Sequence, residues 1–527
     1  MNNGLTIVLA VFLAVQCILT VFANLVLITE NIDCDIAKLY VHAVEMWRNG
    51  RILIPGWSYL TTLELDCPLL FAVPLYGLTG NIFLSFGISN IIFLALYLWT
   101  FYYLFSGWGA DVNVMLLSAN LISIPYGIGQ LSYFNMMFFN GGQYSMKVLI
   151  PLMLLALLVN MEKCHEKKGK RTLFICSAIY FLFVLISSFS SGIYVFICGL
   201  FPVLGGYLFC RRYYKNKVLK CFWWYGGGTL LTVAAGSLAN FVLDLGSKSG
   251  GMALCSVMDN ELMDNLFACF FGLFEVLGGA AYTNVKVLSL RGFDILFRMG
   301  FVLFLLFCAY FTWKKLKTRQ ADMLPVLFVF IFIWNTFILC ICRTQYGSRT
   351  FEYRYHLMGI IPLMCVASLL VVDGYKKADQ VRKRMIGGGV ILVLVLLNGL
   401  SWREVLYSHK DVSGLQSVCE YAAENDLETV YFLTLIEDAK ESEICRLLDM
   451  DSNRMYVSVR SQDGVAFVWD YYEIYTGMEV KQDDAAMVTY KEEEAGIRLK
   501  ELFGDGYEQV METEEFRVFR WEGREKR

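Results

Sequence analysis

Charged side chains are scarce in this sequence. Asp, Glu, Lys and Arg together make up 18% of its 527 residues, whereas 57% are hydrophobic and 15% are aromatic. The mean hydropathy of +0.51 lies well above that of soluble domains. A soluble globular class is therefore excluded, and the chain is predicted to be an integral membrane protein. The formal net charge of −3 offers no basic surplus, and nucleic acid is not expected as a partner.

Several common motifs are also absent. No Cys-x-x-Cys pair indicates a zinc site, no glycine-rich loop follows a predicted strand to bind a nucleotide, and no repeat of about 20–50 residues indicates a solenoid. Most of the 16 cysteines lie in apolar runs, where a thiol behaves as a small hydrophobic group, so no disulfide framework is expected. Cys34 and Cys67 flank one loop and could form a single disulfide if that loop lies outside the cytoplasm.

Long apolar runs are what the sequence has in abundance. A bilayer core of about 30 Å requires about 20 residues of helix. The first run has no basic residue before it and no small-residue cleavage site, so it is predicted to be an uncleaved span. The eleven predicted spans cover residues 5–28, 82–105, 112–129, 144–161, 172–190, 192–210, 222–243, 294–313, 324–342, 355–373 and 386–402.

Lysine and arginine collect in four short loops, 162–171, 211–220, 314–319 and 375–384. Because basic loops are retained on the cytoplasmic side, these loops and the N-terminus are predicted to be cytoplasmic. The loops on the opposite side are then extracytoplasmic, namely 29–81, 130–143, 244–293 and 343–354. Any active site is expected among these loops. An amphipathic segment in the third of these is predicted to be a lid or interfacial helix, with Glu275 facing the surface.

The composition changes after Trp402. Residues 1–402 form the predicted transmembrane domain, and residues 403–527 alternate between helical and strand patterns, which predicts a small α/β domain. An odd number of spans places this domain outside the cytoplasm. The predicted fold class is therefore mainly α: a polytopic membrane helical bundle with a small extracytoplasmic α/β domain. The expected role of that domain is recognition or scaffolding, without chemistry of its own.

Two aspartates stand where the first span ends. From Ile36 to Trp47 the apolar residues recur at helical spacing, which predicts an amphipathic helix lying in the membrane interface. Asp33 and Asp35 come at its start, where helix N-terminal amides favour negative charge, so one of them could simply be an N-cap. A second apolar helix in the same loop, residues 69–78, is too short to span.

The order of these features resembles a known family. A first span, an acidic pair, a helix ending in Asn-Gly, then "DCPLLFAVPLYGLTGN" and a new span are similar to the GT-C superfamily of membrane glycosyltransferases, such as the protein O-mannosyltransferases and aminoarabinose transferases. The resemblance implies a donor sugar on a polyprenyl phosphate. It also implies that Asp35, or else Asp33, is the catalytic base or a metal-site residue, with Tyr40 on the same helix near the substrate.

A second resemblance lies in "RTQYGSRTFEYRYHLMGIIPLM", residues 343–364, which is similar to the family's Glu-x-Arg-Tyr followed by an apolar helix with proline. An arginine can bind two phosphate oxygens at once, which lysine cannot. Arg354 is the predicted ligand of the lipid phosphate. The other candidates are Tyr355, His356, Arg349 and Arg343. The alternative is that Arg354 and Tyr355 merely anchor a helix at the interface.

The second outer loop departs from the family pattern, because it contains no acidic residue. A metal ion completed by that loop is therefore doubtful, although a divalent cation of unknown identity is retained as a potential cofactor. Glu64 and Asp66 of the first loop could replace the missing acid. Asn140, Gln143 and Tyr144 could donate hydrogen bonds to a sugar, or could belong to an interfacial belt.

The predicted function is extracytoplasmic transfer of a sugar from a polyprenyl-phosphate donor to an envelope glycan, lipid or protein, with inversion at the anomeric carbon. The expected partners are the sugar lipid, the bilayer and an acceptor that the sequence does not identify. Two alternatives stay open: a catalytically silent scaffold of the same fold, and a flippase for lipid-linked saccharides. A flippase would require ionisable groups in the middle of the spans, where few occur.

Overall fold

The computed structural model describes most of the chain: residues 3–59, 62–127, 132–161, 167–216, 218, 220–243, 254–256, 261–280, 285–320, 322–342, 345–346, 350–351, 353–407, 411–433, 441–462, 465–470, 476–480, 484–491, 499–504 and 506–521. The chain forms two compact units. Unit 1 contains Met1–Val26, Leu60–Leu70 and Gly87–Ser408, and unit 2 contains Leu27–Tyr59, Phe71–Phe86 and His409–Arg527. The predicted domain boundary at residue 402 stays a prediction.

Helices dominate the described residues. In chain order they are α1 (Asn3–Phe22), α2 (Cys34–Asn49), α3 (Leu69–Thr79), α4 (Ile82–Trp108), α5 (Val112–Ser123), α6 (Tyr133–Met137), α7 (Ser145–Met161), α8 (Lys167–Ser191), α9 (Phe201–Tyr213), α10 (Lys220–Val242), α11 (Glu261–Glu275), α12 (Leu290–Lys317), α13 (Met323–Ile341), α14 (Leu357–Lys377), α15 (Gln380–Tyr407), α16 (Ser413–Glu424) and α17 (Glu441–Leu448).

A helix lies in each of the eleven predicted spans. Within the described residues, seven helical segments are long and apolar enough to cross a membrane: Gly4–Glu30, Ile82–Trp108, Arg171–Ser191, Leu290–Lys317, Met323–Ile341, Tyr353–Lys377 and Gln380–Tyr407. Three shorter apolar helices are Leu69–Thr79, Val112–Ser123 and Ser145–Met161. The chain is therefore a multi-pass membrane protein, while its orientation and the count of eleven stay predictions.

Two helices form the centre of unit 1. Ser145 to Val159 of α7 are all buried, and in an apolar 18-residue stretch of Tyr353–Lys377, which includes α14, 72% of the residues are buried. By contrast, only 17% of the residues are buried in such a stretch of the first span. Apolar side chains on every face are typical of a helix that has protein on all sides, which explains why the sequence of α7 shows no amphipathic pattern.

Asparagine side chains hold the second outer loop in unit 1. The Nδ2 of Asn24 donates to the carbonyl oxygen of Phe138 at 2.8 Å. The Nδ2 of Asn90 donates to Oδ1 of Asn24 at 2.9 Å and to the carbonyl oxygen of Asn140 at 3.0 Å. A buried backbone carbonyl without a hydrogen bond costs free energy, and these two carbonyls lie in a loop, outside the helices and strands. The asparagine side-chain amides donate hydrogen bonds to them.

Unit 2 contains a mixed six-stranded sheet with the order β5-β4-β3-β6-β8-β7. Strands β3 and β4 are parallel, as are β3 and β6, and the outer pairs are antiparallel. Tyr431, Val457, Val459 and Met487 belong to its apolar core. The strands are β1 (Gln345–Tyr346) and β2 (Thr350–Phe351), which form a separate pair, and β3 (Thr429–Leu433), β4 (Met455–Gln462), β5 (Val465–Trp469), β6 (Ala485–Tyr490), β7 (Tyr507–Glu512) and β8 (Phe516–Trp521).

The predicted helix of the first outer loop, α2, belongs to unit 2. It ends at Gly50, whose left-handed backbone (φ 59°) lets its N–H bond the carbonyl oxygens of Met46 and Trp47. Most of helix α3, from Phe71 onward, also belongs to unit 2. A Cβ on its Gly77 would lie 2.2 Å from the indole of Trp47, so only glycine permits this contact.

Candidate functional site

The two aspartates of the first outer loop lie at the start of α2. Asp33 is the N-cap, because its Oδ1 accepts a hydrogen bond from the backbone N–H of Ile36 at 3.0 Å. Asp35 lies in the first helical turn and is half-buried. The alternative that one carboxylate caps the helix therefore holds for Asp33, and Asp35 is the carboxylate that helix capping does not explain.

The prediction that α2 lies on a surface is wrong. Lys38 and His42, on its predicted polar face, are 7% and 0% exposed. The ring of His42 stacks on Trp57 with ring centres 5.0 Å apart, and on the other face the ring of Tyr40 stacks on Phe86 with ring centres 4.0 Å apart. The periodicity of the sequence predicted the helix correctly. It did not predict that other parts of the protein cover its polar face as well as its apolar face.

Helix α17 packs against α2 within unit 2. Arg48 of α2 donates from Nη2 to the carbonyl oxygen of Met450 at 2.9 Å, just beyond the end of α17. Lys38 lies within electrostatic reach of Glu443, a carboxylate of α17 that is 3% exposed. The helix that carries Asp33 and Asp35 is therefore held by the C-terminal part of the chain.

Glu443 makes this contact sensitive to pH. Burial raises its pKa from the ordinary 4.5 to about 7, although Arg446 and Lys38 lower the pKa and Asp470 raises it. Between pH 4.5 and about 7, Glu443 is therefore protonated in the folded state but ionised in the unfolded state. The free energy of unfolding should fall as pH rises from about 4.5 to about 7.

We expect Glu443→Gln to remove this pH dependence, since the amide resembles the protonated acid and does not titrate. Thermal unfolding of the full chain at pH 6 and pH 8 measures the effect. The wild type should lose more stability than the variant between these values. Glu424→Gln, at an exposed position of α16, is the matched control and should behave as wild type. An equal pH response of the variant and the wild type would contradict the assignment.

A buried ion pair lies in unit 1. Asp66 is 0% exposed, and its Oδ1 lies 3.1 Å from Nζ of Lys147, the third residue of α7. Three serine hydroxyls also donate to this carboxylate, at 2.9, 2.9 and 2.8 Å, and all three belong to the last turn and a half of α8: Ser187, Ser190 and Ser191. Sequence reasoning identified Asp66 but missed Lys147 and the serines.

The spacing of these serines explains their convergence. Residues three and four apart share one face of a helix, so Ser187, Ser190 and Ser191 present their hydroxyls in one direction. Ionised carboxylate oxygens accept several hydrogen bonds, and a buried charge is tolerated only when it is paired in this way. Asp66 is thus a fixed negative charge that holds the Lys147 ammonium in place.

Three tyrosines adjoin the ion pair. Lys147 Nζ lies 5.4 Å from the ring centre of Tyr144, and its ammonium also donates to the carbonyl oxygen of Gln143 at 3.2 Å. Ring centres of Tyr144 and Tyr355 are 6.3 Å apart, and Tyr194 lies 6.4 Å and 6.1 Å from them respectively. The residues just before α7 and α14 therefore meet through aromatic contacts.

Arg354 belongs to the same group. Its guanidinium carbon lies 5.7 Å from the ring centre of Tyr355, on the short helical turn Tyr353–His356 that precedes α14. Tyr353 is within electrostatic reach of both Arg354 and Glu275. The prediction that Glu275 faces the surface is wrong, because this carboxylate is 8% exposed. Arg354 and Lys147 thus each lie beside one ring of the tyrosine cluster.

The remaining predicted site residues have other neighbours. Asn140 is buried with a left-handed backbone (φ 47°), and its carbonyl oxygen is bound by Asn90. Glu64 also has a positive φ of 58°, and His356 lies against Cys269. Their substrate roles stay predictions. Arg343 and Arg349 lie outside the described residues. Cys34 and Cys67 are not joined in a disulfide.

The chemistry available in unit 1 suits an anionic, hydroxyl-rich ligand. Guanidinium and ammonium groups bind phosphate oxygens, and tyrosine rings pack against the C–H faces of sugars while their hydroxyls form hydrogen bonds. Among the residues that the structure describes, no group of three or more His, Cys, Asp or Glu side chains is arranged to hold a metal ion. A divalent cofactor stays a prediction.

Solved structures that are similar to this chain include two of the same protein. The crystal structure of ArnT from Cupriavidus metallidurans bound to undecaprenyl phosphate is 13% identical, has a TM-score of 0.56, and matches 98% of this chain and 98% of its own. The apo-state structure of the same protein is 11% identical, has a TM-score of 0.57, and matches 97% of each chain. No protein-family model matches the sequence, and no curated protein matches it. The likeness confirms the predicted fold class, a polytopic helical bundle with a small C-terminal α/β domain.

Proposed function

We propose that this chain is a glycosyltransferase that moves a sugar from a polyprenyl-phosphate donor to an acceptor outside the cytoplasm. The observation that carries the proposal is the convergence in unit 1 of Arg354, Lys147 and three tyrosines. This group of residues occurs in a fold shared over nearly the full length with a protein crystallised with undecaprenyl phosphate.

Arg354 is the proposed ligand of the lipid phosphate. Its planar guanidinium can donate two parallel hydrogen bonds to phosphate oxygens, and it would stabilise the negative charge that grows on the leaving phosphate. Lys147 is less available for this role, because Asp66 already neutralises it. The proposed part of Lys147 is to fix Tyr144, over whose ring its ammonium lies.

Asp35 is the proposed general base. It would deprotonate the acceptor hydroxyl, which then attacks the anomeric carbon from the face opposite the phosphate and inverts that centre. Asp33 would hold the start of α2 through its cap. The reaction would take place on the extracytoplasmic side, with the N-terminus in the cytoplasm and the C-terminal domain outside.

Arg354→Ala is expected to weaken binding of undecaprenyl phosphate by about 10- to 100-fold, since hydrogen bonds to charged groups contribute about 1.5–3 kcal/mol. Arg354→Lys should recover only part of the affinity, because an ammonium cannot donate in a planar fork. Titration of the purified protein with this lipid, followed by intrinsic fluorescence, measures the dissociation constant.

Arg382→Ala is the matched control, because Arg382 is exposed on a predicted cytoplasmic loop. It should bind as wild type does. If Arg354→Ala and Arg382→Ala both bind with wild-type affinity, Arg354 is an interfacial anchor and the assignment fails. Transport of a labelled lipid-linked saccharide across proteoliposomes without a transfer product would support a flippase instead.

A further inference from the structure

Two cysteines adjoin the turn Tyr353–His356 without taking part in the proposed reaction. Cys269 lies in α11 and Cys340 in the last turn of α13, and their sulfur atoms are 3.7 Å apart. Cys269 is 1% exposed, whereas Cys340 is half-buried. Both belong to unit 1. Two thiols in van der Waals contact need only a small movement to reach the S–S length of about 2.05 Å.

The backbone around this pair is already docked. The Nδ2 of Asn265, one turn before Cys269, donates to the carbonyl oxygens of Leu339 and Cys340, both at 2.8 Å. The N–H of Cys255 also donates to the carbonyl oxygen of Ile341 at 2.9 Å. The two bonds from Asn265 hold α11 against the end of α13, and the bond from Cys255 ties the segment before α11 to the same end. Thiol approach therefore starts from two helices that are already hydrogen-bonded to each other.

A histidine completes the environment. Nε2 of His356 lies 3.7 Å from the sulfur of Cys269 and 2.9 Å from the Cys269 carbonyl oxygen. Tyr353 and Tyr355 pack against the same cluster. The thiol pair therefore adjoins the turn that carries Arg354, and its chemical state bears on how firmly α11 holds that turn.

We propose that Cys269 and Cys340 are a redox-active thiol pair that closes to a disulfide and covalently fixes α11 to α13. The oxidant is a disulfide of the extracytoplasmic environment. Cys340, the more accessible thiol, attacks it as the thiolate, and one sulfur of the oxidant leaves as a thiolate that takes up the proton. Cys269 then displaces the second sulfur in the same way.

The step balances. Two protein thiols and one oxidant disulfide give one protein disulfide and two small thiols, so the protein pair loses two electrons and two protons and the oxidant gains them. The proposal does not depend on the glycosyltransferase assignment, because it concerns thiol chemistry that can be measured without lipid or sugar.

The test uses the purified full chain and 2,2′-dipyridyl disulfide, an apolar oxidant that can reach buried thiols. After oxidation, remaining thiols are alkylated under denaturing conditions and the digest is analysed by mass spectrometry. We expect a cross-linked species joining the peptides of Cys269 and Cys340, lighter by two hydrogens than the two peptides, which dithiothreitol returns to separate peptides. Backbone hydrogen exchange of α11 should slow several-fold on oxidation.

Cys342→Ser is the matched control, since it removes a thiol two residues from Cys340 and should leave the cross-link unchanged. Cys340→Ser should abolish the cross-link and the slowing of exchange in α11. Recovery of Cys269 and Cys340 as separately alkylated or separately modified peptides from the wild type would overturn the proposal, as would a Cys269 cross-link that persists in Cys340→Ser. The wild-type digest decides the matter even if a variant fails to fold.

Discussion

Lys147→Met is expected to destabilise the folded chain by about 3–5 kcal/mol. Its ammonium lies 3.1 Å from a carboxylate that is 0% exposed, so removal of the cation leaves Asp66 as an uncompensated buried charge. Methionine keeps much of the volume, and the loss should therefore report charge rather than packing. Unfolding in mixed micelles with increasing denaturant measures the free energy.

The ion pair of Lys376 and Asp111 is the matched control. Its atoms are 2.7 Å apart, yet the lysine side chain is 46% exposed. Solvent screens such a pair, and Lys376→Met should cost at most about 1 kcal/mol. Adding Asp66→Asn to Lys147→Met should recover part of the lost stability, because it removes the buried charge. Similar losses for the two single lysine variants would contradict the role given to Asp66.

Asp35→Asn is expected to reduce sugar transfer by about 10²- to 10⁴-fold, which is the usual contribution of a general base. The amide fills the same space but cannot accept the proton. The expected readout is envelope glycan or glycolipid composition in a deletion strain that expresses the variant. The cap at the start of α2 is retained in this variant, because Asp33 forms it.

Asp33 provides an internal control, because a substitution can remove its charge and still keep the side-chain oxygen that caps the helix. Asp33→Ser retains a side-chain oxygen for the Ile36 N–H, whereas Asp33→Ala loses it and should cost about 1 kcal/mol of stability. Both should retain transfer activity if Asp33 only holds the helix. Loss of transfer in Asp33→Ser with full activity in Asp35→Asn would reverse the two roles.

The helical part of the fold could be predicted from sequence because hydropathy and length decide it. Each apolar run that was long enough for a span is helical, and residues after 402 alternate between helices and strands, as the C-terminal pattern predicted. Strands β5 and β6 were missed. Strand β5 lies at the edge of the sheet, and β6 is buried along nearly its whole length. Neither strand shows a clear alternation of apolar and polar residues in the sequence.

The candidate site could be predicted only in part. Arg354 and Tyr355 were proposed from the resemblance to a family motif, and Tyr144 and Asp66 from residue type and loop position. The partners of Asp66 were not, because its serines lie 121 to 125 residues away in the chain and one sequence carries no signal of such contacts. The burial of Lys38 was missed for the same reason: helical periodicity shows which residues share a face but not what covers that face.

The lipid that copurifies with the protein tests the central claim most directly. Native mass spectrometry of wild type and Asp35→Asn, extracted gently from cells, compares their bound lipids. The account predicts a polyprenyl phosphate on the wild type and its sugar-bearing form enriched on the variant, because donor binding survives while transfer stops. Bulk phospholipids alone on both proteins, with no polyprenyl species, would contradict it and favour a scaffold of the same fold.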